Sequence, residues 1–196
     1  LVGSEMCIRD RGIRMRTKKL CIAGICLTLC MLLPFLTGQI PQIGNALSPM
    51  HIPVLLCGML CGGIYGAIVG FIAPILRFML FGMPPIFPIG IAMAFELAAY
   101  GMASGVIYRA LPKKAINIYI SLISAMLVGR VVWGIARFIM ALAFGIEFSF
   151  QMFLSGAFIT AIPGIICHIL IIPILVMACQ KAGAVLKANE QEIKVG

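Results

Sequence analysis

Charge is what this chain has least of. Only 11% of its 196 residues are charged and only six are acidic, where a soluble domain carries about 25% charged residues. Two histidines and one tryptophan complete a sparse polar inventory. There are no paired carboxylates, no G-x-S-x-G and no H-E-x-x-H, so hydrolytic catalysis has nothing to work with. A Walker motif is also missing, and any ATP must be hydrolysed by other subunits. Eight cysteines are present, but none forms a C-x-x-C pair and no histidine stands at ligand spacing from two of them. Cys21, Cys26, Cys30, Cys57, Cys61, Cys167 and Cys179 lie in or near apolar runs and read as small hydrophobes. The expectation is a protein that is not an enzyme, with no metal and no cofactor.

What the chain does have is hydrocarbon: 62% apolar residues and a mean hydropathy of +1.13. That composition belongs to a polytopic membrane protein of one domain, partnered by the lipid bilayer. The net charge of +9 could suit nucleic acid. However, no basic stripe interleaved with exposed aromatics is visible, and nucleic acid is set aside.

The apolar runs fall at about residues 17–36, 52–61, 63–81, 87–108, 115–144 and 153–179. Runs of about 20 residues cross ~30 Å of hydrocarbon. The second and third are contiguous, and either break at Gly62-Gly63 or form one tilted helix. Lys and Arg favour cytoplasmic loops, and they gather from Arg14 to Lys19, from Arg109 to Lys114 and from Lys181 to Lys187. With a break at Gly62-Gly63 all three clusters share one side. The fold expected is therefore an all-α integral membrane protein, a single compact bundle of six transmembrane helices with both termini cytoplasmic. Residues 15–181 form the membrane domain and 182–196 a cytoplasmic tail. Residues 1–14 are expected to be a leader outside the fold, because the opening stretch resembles read-through from a sequencing adapter. Met15 is then the expected start.

Several stretches resemble the substrate-binding (S) components of energy-coupling factor vitamin transporters. They are Pro49-Met50-His51-Ile52-Pro53-Val54-Leu55-Leu56, the series Gly58, Gly62, Gly66, Gly70, then Gly82-Met83-Pro84-Pro85 and Glu96-Leu97-Ala98-Ala99-Tyr100-Gly101. Gly129-Arg130-Val131-Val132-Trp133-Gly134, Gly156-Ala157-Phe158 and Ala161-Ile162-Pro163-Gly164 continue the likeness. The resemblance implies a multi-pass protein of the bacterial cytoplasmic membrane that captures a small water-soluble vitamin. It also implies partners: a transmembrane coupling protein and two ATPase subunits. Runs one to three would dock on the coupling protein, through Gly24, Thr28, Gly62, Gly66 and Gly70. Four-residue spacing of small side chains equally serves packing within one chain. The other runs and the uncharged 37–50 loop would hold the ligand. An autonomous channel or secondary carrier, working as an oligomer, is the competing reading, although no internal symmetry is visible.

The polar residues inside the spans are few enough to weigh one by one. Arg130, Trp133 and Arg137 share a helical face. An arginine near the bilayer centre costs from ~2.5 to over 10 kcal/mol, so two of them need anionic partners or water, unless they snorkel to an interface. Glu96 is the acid well inside a span, and Arg77 adds a further cation. This surplus of positive charge points to a carboxylate-bearing ligand gripped by guanidinium, with Arg130 the foremost contact and pantothenate the first candidate. Tyr100, one turn from Glu96, and Trp133 supply flat walls. Asn45 in the loop and His51 after it are hydrogen-bonding candidates. His168, deep in the sixth run, reads as a structural histidine.

Overall fold

The computed structural model describes residues 2–36, 48–82, 85–112, 114–145, 148–156 and 161–181, with side chains from Met15 onward. The described residues fold into helices α1 (Val2–Leu36), α2 (His51–Cys61), α3 (Gly63–Phe81), α4 (Ile91–Ala110), α5 (Ala115–Phe144), α6 (Phe150–Leu154) and α7 (Ile162–Lys181). An irregular turn, Ile86–Gly90, leads into α4, with Phe87 extended at φ −118°. Among the described residues, five stretches are long and apolar enough to span a bilayer: Met15–Phe35, Gly63–Phe81, Ile86–Ala110, Ala115–Phe144 and Ile162–Lys181.

The second expected span is only 11 residues long, about 16 Å of helix. It ends where the sequence places the break. Gly62 takes φ +108°, a conformation that glycine adopts without penalty. Within the sixth expected run, α6 ends at Leu154 and α7 begins at Ile162. Pro163 sits in the first turn of α7, where its missing N–H and fixed φ favour a helix start. Pro34 does not end α1; the helix carries it within its last turn and stops at Leu36. α1 begins at Val2.

Glycine sets how closely the helices meet. α4 packs against α2, α3 and α5. A Cβ on Gly66 of α3 would sit 2.7 Å from the Gly101 carbonyl oxygen of α4 and from the Gly58 Cα of α2. Without side chains at these crossings, backbones approach and gain dispersion contacts. Around them lies the core: Val54, Leu55, Cys57, Leu97, Leu122, Ala125, Ile172 and Val176. The outer surface is apolar instead of polar, with Ile64 and Leu142 among the most exposed residues. That inversion suits lipid, against which backbone groups must already be paired within the helices.

One end of the bundle gathers the flanks of all three basic clusters. Cys61 Sγ donates to the Lys19 carbonyl at 3.5 Å. Arg109 Nη2 donates to the Cys61 carbonyl at 2.7 Å, satisfying an acceptor at the C-terminus of α2. Gln180 of α7 bonds the Tyr108 hydroxyl. Deeper in, Ser121 Oγ donates to the Ser104 carbonyl at 2.9 Å, and Ser104 Oγ to the Gly101 carbonyl at 3.2 Å.

Candidate binding site

Glu96 lies fourteen residues before the end of α4, about 21 Å along the helix from the basic end. It is 2% exposed. Three side chains converge on its Oε1. Arg130 Nη1 stands 2.9 Å away, the Tyr100 hydroxyl donates at 3.0 Å, and His51 Nε2 lies at 3.7 Å, too far for a hydrogen bond. The helices put them there for identifiable reasons. Tyr100 is one turn after Glu96 on the same face. Gly129 faces the Tyr100 ring, and a Cβ there would lie 2.5 Å from its Cε1. This glycine lets α5 approach until Arg130, the next residue, reaches the carboxylate.

His51 opens α2 and His168 belongs to α7, yet they share an acceptor. His51 Nδ1 is 3.1 Å and His168 Nε2 3.3 Å from the Ser48 carbonyl oxygen. The His51 backbone N–H bonds the same oxygen at 3.0 Å. The imidazoles stack with centroids 5.7 Å apart, and His51 meets the Tyr100 ring edge-on at 5.0 Å. Both histidines are buried. Sequence reasoning took His168 as structural; no spacing pattern links it to His51, because their junction is a backbone carbonyl.

Further along α5, Trp133 meets Phe148 edge-on at 5.9 Å and stacks with Phe153 at 6.2 Å. A Cβ on Gly156 would touch the indole at 3.0 Å, so this glycine leaves the ring its room. Arg137 lies over the Phe148 ring at 5.3 Å. Phe148 and Phe153 were not foreseen, and their only signal was the aromatic density after residue 147; Gly156 appeared only within a stretch that carried the family likeness.

Among the described residues, the buried side-chain nitrogens without a hydrogen-bond partner are His51 Nε2, Arg130 Nε, Arg137 Nε and Nη1, and His168 Nδ1. Buried polar groups are ordinarily paired. All of these belong to this one cluster and the α5 face above it. Glu96 and Arg130 neutralise one another, and among the described residues no carboxylate pairs with Arg137.

The other expected site residues go elsewhere. Arg77 is buried at the α1–α3 contact, where Nη1 donates to the Met31 carbonyl at 3.3 Å. Its guanidinium lies 5.7 and 5.8 Å from the Phe35 and Phe81 rings. Asn45 falls outside the described residues. Of the expected docking residues, Gly66 and Gly70 are buried against α4 and Gly62 against Arg109. Their small faces are packed inside the chain. Gly24 has open space around its Cβ position, and Thr28, also exposed, bonds back to the Gly24 carbonyl at 3.0 Å.

A protein-family model described as "ECF transporter, substrate-specific component" matches residues 18–176. Searches of curated proteins and of solved structures returned no match.

Proposed function

This chain belongs to the ECF transporter substrate-specific component family, and we propose that it captures a carboxylate-bearing vitamin or vitamin precursor on the α5 face that carries Arg137. The observation that supports the reading is the Arg137 guanidinium, two of whose nitrogens are buried with no hydrogen-bond partner among the described residues. A cation held this way is costly until an anion joins it. A carboxylate is matched to guanidinium in both charge and planar geometry. Trp133 and Phe153 wall the same face and exclude water around the pair. Arg130, the foremost expected contact, already has Glu96 at 2.9 Å and contributes chiefly by holding that acid neutralised.

The member of this class we put first is pantothenate. As a substrate-specific component the chain would deliver it inward with a transmembrane coupling protein and two ATPases, the basic end of the bundle facing the cytoplasm. Gly24 and Thr28 on α1 supply the small, exposed face for docking.

Isothermal titration of the purified protein with pantothenate tests the ligand. Arg137→Gln is expected to weaken binding by about 2–5 kcal/mol, the range for truncating one partner of a buried charge pair. Wild-type affinity in that variant would refute the anionic contact.

A further inference from the structure

The tautomer of His51 is fixed by the backbone. A carbonyl oxygen only accepts, so His51 Nδ1, at 3.1 Å from the Ser48 oxygen, must carry the proton. By the same reasoning His168 Nε2, at 3.3 Å from that oxygen, carries one too. In the neutral ring His51 Nε2 is then a bare lone pair. It points into the cluster, buried and without a partner, and 3.7 Å from Glu96 Oε1. Arg130 turns Nη1 toward that same oxygen and leaves its Nε, a donor, buried and unpaired. With a neutral His51, the two side chains that meet Glu96 Oε1 therefore leave one acceptor, His51 Nε2, and one donor, Arg130 Nε, without a partner among the described residues.

A hydroxyl group answers both demands, because its O–H can donate to Nε2 while its oxygen accepts from Nε. We propose that His51 and Arg130 form a hydroxyl-reading subsite, and that the ligand is a hydroxy acid. Its hydroxyl enters between His51 and Arg130, and its carboxylate lies against Arg137. Arg130 and Arg137 are seven residues apart on α5, about 10 Å along the helix, with Trp133 between them. The ligand is thus an extended molecule with a polar group at each end, not a compact acid. This inference rests on the proposed capture of a carboxylate at Arg137. His168 is a positioning residue here: it holds the Ser48 carbonyl that sets the His51 tautomer.

The test compares three probes on the purified wild-type protein by isothermal titration. They are pantothenate, pantothenol (acid replaced by alcohol), and N-(3,3-dimethylbutanoyl)-β-alanine (both hydroxyls removed). Pantothenate should bind at least tenfold more tightly than the dehydroxylated acid. His51→Leu should erase that preference while keeping the preference for acid over alcohol; Arg137→Gln should do the reverse. His168→Leu should reduce the hydroxyl preference and His168→Gln restore it, since an amide N–H can still donate to Ser48. Equal affinity of the wild type for pantothenate and the dehydroxylated acid overturns the hydroxyl subsite and leaves the anionic contact standing. If pantothenol binds as tightly as pantothenate, the anionic contact falls, and with it the hydroxy-acid assignment. Because the decisive comparison varies the ligand on the unaltered protein, a variant that fails to fold does not blunt it.

Discussion

The two ends of the bundle treat their polar groups in opposite ways. At and just below the basic end, buried polar groups are paired off: Arg109 with the Cys61 carbonyl, Gln180 with Tyr108, and, deeper in, Ser121 with the Ser104 carbonyl. Toward the other end, His51, His168, Arg130 and Arg137 each retain a buried nitrogen with no partner. Each unmade bond of this kind costs about 1–3 kcal/mol. A chain that satisfies its serines by bonding them to carbonyls of neighbouring helices has the means to finish a network. Where one is left unfinished among the described residues, the ligand proposed above supplies the missing partner. The saturated end holds the helices together, and the unsaturated end is where we place binding.

The sharpest way to break that contrast is to remove Arg130, which belongs to both descriptions. Arg130→Ala leaves Glu96 buried with a hydroxyl as its remaining hydrogen-bond donor. It should destabilise the protein by about 3–5 kcal/mol, as breaking a buried pair does. Adding Glu96→Gln should return much of the loss, read as thermal unfolding in detergent. An Arg130→Ala protein as stable as wild type would mean that the ion pair is not formed. Next in size comes the glycine seam. Gly66→Leu drives a side chain into the α4 backbone and should cost on the order of 3 kcal/mol, seen as loss of monodisperse protein in gel filtration. The smallest effect on stability belongs to Gly24→Leu, within about 0.5 kcal/mol because the site is exposed. Its consequence should appear elsewhere, as failure to co-purify with the coupling protein while pantothenate binding persists. If Gly24→Leu and Gly66→Leu instead behaved alike, the division between inner and outer small faces would fail.

That division also marks where the sequence stops being informative. Hydropathy located α5 to the residue, Ala115–Phe144, because a long apolar run bounded by Lys114 and Gly145 has few alternatives. Charge bias located the Gly62 break, since only that break gathers the basic clusters on one side. Four-residue glycine spacing was ambiguous for a physical reason: it identifies a face made for close approach and says nothing about what approaches. Gly66 and Gly70 met α4 of the same chain, while Gly24 met nothing. The need for Arg130 to find an anion was legible from the cost of burial, and Glu96 is where it is met. Arg77 obeyed the same rule but found a carbonyl and two aromatic rings instead, partners that no charge count would suggest. The His51–His168 junction was invisible, because the group that joins them is the main chain of Ser48.

Arg109 has a consequence for how the protein is made. As a cation flanking a span it is among the residues that bias orientation during insertion. Once the bundle has formed, the same guanidinium plugs the break after α2, so close to Gly62 that a side chain there would have to push it aside. One residue is thus read twice, first by the insertion machinery and later by its own neighbours. Lysine in its place would keep the first message and garble the second, since a point charge lacks the planar fork that reaches the Cys61 carbonyl. Correct insertion and final closure are therefore successive checks on a single side chain, and a chain that passes the first can still fail the second.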